Sequence, residues 1–198
     1  MRCYLIRHGM DDDTKRGGWS QAPLTSDGIT EVEALSEWIA NHREQYAIKY
    51  IYSSDLCRAA QTAQILADKI HLPVILLPAF RETNNGDLAG MDNTLALVKY
   101  PGLFWNQLAW DQCYPNGESP KQFYERISNA WLNFSESILR NNENVALITH
   151  SGVIQVILSI IQCTEYSNKY LQSVVPHASC IILQYKNGKW KVLEGGNP

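Results

Sequence analysis

The stretch CYLIRHGM, residues 3–10, starts as an apolar run and ends in Arg7, His8 and Gly9. An apolar run of this length indicates a buried strand that is covered on both faces. In open α/β sheets the functional crevice lies outside the carboxyl ends of the strands. The sequence therefore predicts that His8 lies at such a crevice, just beyond the end of the first strand.

The composition is that of a globular protein, with 45% hydrophobic and 19% charged residues, and we expect one domain over residues 1–198. A net charge of −3 without a Lys/Arg cluster gives no reason to expect a nucleic-acid partner. Neither a signal peptide nor a run long enough to span a bilayer is visible, so we expect a cytoplasmic protein without a membrane partner. Five cysteines without CxxC spacing predict no disulfide framework and no zinc site.

Strand and helix patterns alternate along the chain. Strands are predicted at 3–7, 49–54, 73–78, 144–150, 178–185 and 189–194. Helical spacing links Ile29, Val32, Leu35, Trp38 and Ile39, and then Leu56, Ala59, Ala60, Ala63, Leu66, Ala67 and Ile70. Residues 120–140 and 152–161 predict two further helices. Ser26 or Asp27 is expected to cap the first helix, and Ser54 or Asp55 the second.

This alternation predicts an α/β fold, a three-layer α/β/α sandwich around a mainly parallel six-stranded sheet. The segment KNGK, residues 186–189, contains the strongest hairpin dipeptide and joins the last two strands. We therefore expect the final strand to be the antiparallel one.

Two more side chains are predicted to lie at the same edge of the sheet. His150, in LITHSG, ends another strand, and Arg58 lies in the first turn of the helix after IYSS, where free backbone N–H groups favour an anion. With Arg7 and His8 they would suit a phosphate. An isolated histidine is more often structural, and Arg58 alone is as well explained as a solvated helix residue. Their coincidence at strand ends and a helix start favours a site.

Six blocks of the chain resemble, in order, the histidine phosphatase superfamily with its phosphoglycerate mutase-like fold. The first four are LIRHGM, GGWSQAPLTSDGITEVEAL, IYSSDLCRAAQTAQIL and FRETNNGDLAG, and the last two are PNGESPKQFYERI and ALITHSGVI. The order of all six makes the resemblance specific, and it extends over nearly the whole chain.

The resemblance implies a metal-independent phosphomonoesterase of the histidine acid phosphatase type, with His8 as the nucleophile and a phosphohistidine intermediate. It identifies Glu82 as the general acid and Arg58 as the phosphate-binding arginine, and it supplies His150. Arg7 and Ser151 join Arg58 and His150 as phosphate-binding candidates. No cofactor and no metal are required by this scheme. Glu82 could instead be an ion-pair partner of Arg81.

Departures from the family pattern bear on the substrate. Met10 and the run Asp11–Asp13 stand where relatives commonly carry Glu or Gln and then Asn. These carboxylates would repel a multiply phosphorylated ligand unless Lys15 and Arg16 neutralise them, or they form a solvated acidic loop.

The segment after Gly90, MDNTLALVKYPGLFWNQLAWDQC, contains Lys99 but no arginine, whereas phosphoglycerate mutases place an arginine pair there. Its aromatic residues could form a lid over a substrate or pack on the core; they are Tyr100, Phe104, Trp105 and Trp110. We therefore favour a phosphatase that acts on a small phosphorylated metabolite. A phosphoglycerate-type mutase and a protein that binds a phosphorylated ligand with little activity are the alternatives.

The candidates for substrate specificity are Gly9, Met10, Thr14, Trp19, Trp105 and His177. Gly9 and Gly152 are expected to allow tight turns beside the ligand. His177 precedes a strand, so it reaches the rim of the site or is a loop residue without a catalytic role. We expect inorganic phosphate as the released product and a monomer or homodimer.

Overall fold

A computed structural model describes residues 1–170 and 174–193 of the chain. The strands are β1 (Arg2–Arg7), β2 (Ile48–Ser53), β3 (Val74–Leu76), β4 (Asn144–Thr149), β5 (Cys180–Lys186) and β6 (Lys189–Leu193). The α-helices are α1 (Ser26–Asn41), α2 (Arg43–Tyr46), α3 (Cys57–Ile70), α4 (Asn93–Lys99), α5 (Pro120–Asn141) and α6 (Ser151–Gln162). All six predicted strands and all four predicted helices are present; residue 194, the end of the last predicted strand, lies outside the described residues.

The sheet has the strand order β3-β2-β4-β1-β5-β6. Strands β1 to β4 are parallel, which confirms the predicted sandwich with its mainly parallel sheet. The antiparallel strand is β5, however, and not the final one, because β6 reverses direction again after the hairpin. The reason lies in the segment before β5: Ala178 donates to His8 O and Arg7 N donates to Ser179 O. The chain thus enters the sheet at the carboxyl end of β1 and must run back.

Two hydrophobic cores lie on opposite faces of the sheet. On one face α1 and α3 pack against Tyr4 and Ile6 of β1 and against the matching positions of β4. On the other face α5 and α6 pack against Cys3 and Leu5. The alternation of β1 residues between the two cores explains why its sequence is apolar throughout.

The predicted helix caps were wrong by one or two residues. Thr25 is the N-cap of α1 and accepts from Gly28 N at 3.0 Å. Leu56 precedes α3 without any side-chain cap, while Ser54 Oγ accepts from Leu56 N at 3.3 Å. Asp55 pairs with Arg81 instead. A cap is set by backbone geometry at the helix entrance, and several polar residues in a row leave that choice open.

The short helices were not predicted, because one or two turns give no readable period. They include α2, α4 and the 3-10 turns Pro78–Phe80, Gly86–Leu88 and Trp105–Gln107. The buried side chains of Leu108 and Tyr114, which follow Gly90, form a small separate core with Leu88, which precedes it.

Two glycines near the site are required by close packing and not by turns. A Cβ on Gly9 would lie 2.5 Å from Gly28 O, and one on Gly152 would lie 2.4 Å from Glu82 Oε1. Gly152 lies in the first turn of α6 and Gly9 lies in no turn, so the predicted tight turns were wrong. Gly9 instead lets the chain after β1 lie directly against α1.

None of the helices in the described residues is long and apolar enough to cross a membrane. All five cysteines are free thiols.

Replacing Gly28 by alanine should destabilise the protein, although alanine is the better helix former. The new Cβ would lie 2.1 Å from Met10 O, against backbone that cannot move without shifting the loop after His8. We expect a loss of about 1 to 3 kcal/mol in the free energy of unfolding, measured by urea denaturation. Gly17→Ala is the matched control, since a Cβ there meets nothing within 4 Å. Equal stability of the two variants would contradict this packing argument.

Candidate active site

Two histidines follow neighbouring parallel strands. Arg7 pairs with Thr149 in the register of β1 and β4, so His8 and His150 are the next residues on each strand. His8 N donates to Thr149 O at 3.0 Å, and the two imidazole centroids lie 5.1 Å apart. Both side chains are buried. The strand order therefore brings together residues that are far apart in the sequence.

The hydrogen bonds of His8 define which ring nitrogen carries its proton. Nε2 accepts from Arg58 Nε at 3.1 Å, so the proton lies on Nδ1, which donates to Gly9 O at 2.7 Å. Burial, followed by the charge of Arg58, holds the pKa of His8 well below its usual range. The imidazole is thus neutral, with the lone pair of Nε2 directed towards the arginine.

Arg58 is the cationic centre of the site, at 2% exposure. Besides His8, it donates from Nη1 to Ser20 O and Oγ, both at 3.2 Å, and from Nη2 to Gly18 O at 2.8 Å. These contacts fix the loop before α1 to the start of α3. They also hold the guanidinium beside the nucleophile candidate, where it can bind an anion.

Arg7 and His177 form a second polar pair beside His8. Arg7 Nη1 donates to Val175 O at 2.5 Å, and Nη2 lies 2.6 Å from His177 Nε2. The His177 ring is 5.6 Å from the His8 ring. Burial and then Arg7 lower the pKa of His177, so its Nε2 can accept from the guanidinium. Of the two alternatives for His177, the structure favours the rim of the site.

His150 is held from behind by Ser54. Its Nε2 lies 2.8 Å from Ser54 Oγ, and its buried Nδ1 has no hydrogen-bond partner among the described residues. Arg7 Nε is also buried and has no hydrogen-bond partner among the described residues. Burial, followed by Arg58 and His8, lowers the pKa of His150 well below its usual range. If Ser54 donates to Nε2, the Nδ1–H of a neutral imidazole is available to an anion.

Glu82 is fixed by two backbone donors. Its Oε1 accepts from Thr83 N and its Oε2 from Gly152 N, both at 3.0 Å. Trp19 Nε1 donates to Glu82 O at 2.6 Å, which adds a contact to the backbone of the same residue. The alternative that Glu82 pairs with Arg81 was wrong, because Arg81 pairs with Asp55.

The acidic run divides between the site and solvent. Asp11 Oδ2 lies 3.5 Å from Arg58 Nε, so this carboxylate lies in the predicted phosphate pocket. Asp12 pairs with Lys15 at 3.1 Å and accepts from Thr14, and Asp13 is exposed. One of the three carboxylates thus faces an anion bound at Arg58, and the other two belong to a solvated loop.

His8, Asp11 and His177 are the described residues whose ligand atoms lie within 4.8 Å of one another and could hold a metal ion. Arg58 Nε contacts His8 Nε2 and Arg7 Nη2 contacts His177 Nε2. Because two guanidinium groups face the imidazole nitrogens, the arrangement suits an anion better than a cation.

A cavity of about 330 Å³ lies next to these residues and shares Glu82, Gly18 and Ser151 with them. Trp105 also lines the cavity, whereas Thr14 and Met10 do not. Thr14 is exposed, and the backbone of Met10 bonds to Glu31 and Thr25, with Met10 N donating and Met10 O accepting.

The other aromatic residues after Gly90 pack against different parts of the protein. Tyr100 packs on the small core, and Phe104 lies under the Arg16 guanidinium. Trp110 is partly exposed and contacts Tyr124 and Tyr166.

Some residues of this region were not identified as site residues from the sequence. Ser54 was expected only as a helix cap, although its position in IYSSDLCR gave the available signal. The cavity walls Tyr114, Tyr166 and Asn168 lie in irregular segments without a period or motif. No sequence signal of the kind used above could have identified them.

A family model described as the histidine phosphatase superfamily, branch 1, matches residues 3–198. The chain belongs to this superfamily. The histidine phosphatase is 26% identical over 194 residues to the uncharacterized phosphatase PhoE of Bacillus subtilis, covering 95% of this chain and 90% of PhoE. It is 30% identical over 197 residues to a probable phosphoglycerate mutase, GpmB, of Escherichia fergusonii, with 96% and 87% coverage.

Among solved structures, this histidine phosphatase is similar to a mycobacterial glucosyl-3-phosphoglycerate phosphatase in complex with inorganic phosphate. The TM-score is 0.78 at 24% identity, with 100% of this chain and 97% of the other covered. This likeness confirms the fold over the whole length of the chain.

Asp11→Asn should strengthen the binding of phosphate esters by the histidine phosphatase. The change removes a carboxylate beside Arg58, so KM should fall by about 3- to 10-fold at about pH 8, where the ester is a dianion. The gain should shrink at about pH 5.5, where the ester carries one charge less. The other groups that face this space are Arg7, Arg58, His8, His150 and His177, and burial lowers the pKa of each imidazole. Because Asp11 raises the pKa of His177, its removal also alters the titration of that ring at acid pH. The KM difference at about pH 8, where the imidazoles are neutral in both proteins, therefore reports on Asp11.

The control for this experiment is Asp13→Asn, an exposed carboxylate of the same loop. An unchanged or higher KM of Asp11→Asn at the alkaline end would show that the carboxylate does not oppose the bound anion.

Proposed function

We propose that this chain is a phosphomonoesterase that works through a phosphohistidine intermediate on His8. The observation that carries the proposal is the set of donors around one neutral imidazole nitrogen: Arg58 Nε is 3.1 Å from His8 Nε2, and the buried Arg7 Nε and His150 Nδ1 have no partner among the described residues. Buried donors of this kind are rare unless they serve a ligand. Three donors around a nucleophile suit the oxygens of a phosphoryl group.

In the first step His8 Nε2 attacks phosphorus in line, and an N–P bond forms while the ester P–O bond breaks. Gly9 O holds the Nδ1 proton throughout, which keeps Nε2 as the nucleophile. Arg7, Arg58 and His150 bind the phosphoryl oxygens as charge moves onto them. Glu82 donates a proton to the leaving oxygen, so the product alcohol departs neutral.

In the second step a water molecule attacks the phosphohistidine. Glu82, now a carboxylate, accepts a proton from that water, the N–P bond breaks, and inorganic phosphate is released with His8 restored. The backbone donors Thr83 N and Gly152 N hold both carboxylate oxygens in place for this exchange. Ser151, at the start of α6, lies beside the path of the leaving group, since it lines the adjoining cavity. All steps use only side chains, substrate and water.

A mutase is the second candidate, favoured by the 30% identity to a probable phosphoglycerate mutase. Such an enzyme must retain a second charged group of its substrate. Arg16 is the one cationic side chain among the described residues that line the cavity. The charge distribution therefore supports hydrolysis over phosphate transfer between two positions of a doubly charged substrate.

His8→Ala should abolish phosphate release from a panel of phosphomonoesters while the protein stays folded. His8 Nε2 is the protein atom that bonds to phosphorus, so turnover should fall at least about 10⁴-fold without it. The activity of the natural protein should persist in EDTA. His42→Ala, on an exposed helix end, is the matched control. Mutase activity on 3-phosphoglycerate without phosphate release, or tight phosphate binding without turnover in the natural protein, would transfer the assignment to one of the two alternatives.

Glu82→Gln should slow alkyl phosphates far more than p-nitrophenyl phosphate, because only the alkoxide needs a proton as it leaves. We expect kcat/KM for an alkyl ester to fall about 10²- to 10⁴-fold, with a much smaller loss for the aryl ester. The ratio kcat/KM reports the phosphorylation step and is insensitive to a slow second step. Glu125→Gln, on the exposed face of α5, is the control. Equal losses for both esters would exclude Glu82 as the proton donor.

A further inference from the structure

The cavity of about 330 Å³ beside Glu82 is where the alcohol part of an ester bound at His8 would lie. Gly18, whose carbonyl accepts from Arg58, and Ser151, which follows His150, line it at the end nearest the histidines. The leaving oxygen must pass Glu82 to receive a proton, and Glu82 is part of the same wall. The substrate part beyond phosphate is therefore selected by this cavity.

Part of the cavity wall is aromatic, and its rings pack against one another or against neighbouring rings. Trp105 stacks on Tyr114 with centroids 6.5 Å apart and an angle of 12°, and it also meets the edge of Phe123. Tyr166 stacks on Tyr124 at 5.3 Å. Burial raises the pKa of Tyr114 to about 12, so its phenol stays uncharged. These rings form flat apolar surfaces that need no rearrangement to contact a ligand ring.

The cavity has one cationic side chain among its described lining residues, Arg16. Its guanidinium lies 4.3 Å from the centroid of Phe104 and is therefore already placed against an aromatic ring. Lys169, close in sequence to the lining residues, is engaged with Leu108 O at 2.5 Å. A guanidinium stacked on one ring can stack on a second ring with its other face. Apart from Glu82, the remaining polar lining residues are uncharged: they carry amides, as Asn85 and Asn168 do, or hydroxyl groups, as Ser151 and Ser167 do.

On the proposed function, we infer that the substrate is a monophosphate ester of an alcohol that carries an uncharged aromatic ring, with the ring held against Trp105, Tyr114 and Tyr166. The inference depends on the phosphomonoesterase assignment, because the phosphate at His8 sets the entrance of the cavity. It goes beyond that assignment by naming the alcohol.

The first experiment compares alkyl phosphates whose leaving alcohols are of similar basicity, and 2-phenylethyl phosphate separates the ring from the reacting oxygen by one more carbon than benzyl phosphate. Benzyl and 2-phenylethyl phosphate are measured against ethyl phosphate, cyclohexylmethyl phosphate and 3-phosphoglycerate. We expect kcat/KM for the better aromatic ester to exceed that for ethyl phosphate by about tenfold or more, and that for the cyclohexyl ester by several-fold. Turnover of ethyl and cyclohexylmethyl phosphate as fast as of the aromatic esters, or a preference for 3-phosphoglycerate, would leave the phosphatase assignment intact and overturn the aromatic substrate.

The second experiment locates the ring. Tyr166→Leu keeps much of the packing volume and should reduce the aromatic preference to about twofold or less. Tyr170→Ala tests the rim of the same cavity. Because Tyr170 is 77% exposed, its truncation should not affect folding. Tyr50→Leu on β2 is the matched control and should keep the full preference. A preference unchanged in both rim and wall variants would place the ring elsewhere and contradict the inference.

Binding to His8→Ala separates this inference from the proposed function. Calorimetry with benzyl phosphate and ethyl phosphate reports on the cavity even if no ester is turned over by the natural protein. Absence of all turnover would disprove the phosphatase, and benzyl phosphate bound no more tightly than ethyl phosphate would disprove the aromatic site. Tighter binding of the benzyl ester by about tenfold supports it.

Discussion

The site depends on one buried guanidinium. Arg58 is almost fully enclosed, and a buried charge costs several kcal/mol unless it is paired and hydrogen-bonded. Its donors are taken by the carbonyls of Gly18 and Ser20 and by His8, none of which is anionic. Asp11 supplies one carboxylate, at 3.5 Å. Because Asp11 is the one carboxylate in contact with Arg58 in the described part of the chain and lies 3.5 Å away, the positive charge of Arg58 is only partly neutralised. An anion bound at His8 would complete the neutralisation.

The same guanidinium determines geometry as well as charge. By donating to His8 Nε2 it selects the tautomer in which Gly9 O holds the other proton. By donating to Gly18 O it connects the histidine end of the site to the wall of the neighbouring cavity. Removal of the charge would therefore disturb both His8, the proposed nucleophile, and the loop, so stability at this edge of the sheet is linked to the proposed chemistry.

The sequence was sufficient to predict His8 and His150 at the ends of strands and Arg58 in the first turn of a helix, because these positions depend on local periodicity. It could not by itself show that β1 and β4 are neighbours, a matter of strand order on which the 5.1 Å between His8 and His150 depends. The antiparallel direction of β5 was not predicted, because it depends on the irregular segment before this strand, which contains His177 and bonds to the end of β1. The role of Asp11 within the acidic run was open for the same reason, since a loop has no period that assigns side chains to a face.

In the proposed function, selectivity and chemistry belong to different parts of this chain. Every phosphate ester presents the same group to Arg7, Arg58 and His8, so these contacts cannot distinguish one ester from another. Discrimination requires contacts beyond the phosphate, and the aromatic part of the cavity lining lies outside the motif blocks; it comes from Trp105, Tyr114, Tyr166 and Tyr170. If the substrate is the inferred aromatic ester, the stacked rings among these lining residues supply flat apolar surface for it. The physical basis for choosing a substrate thus lies in packing, while the physical basis for cleaving it lies in charge.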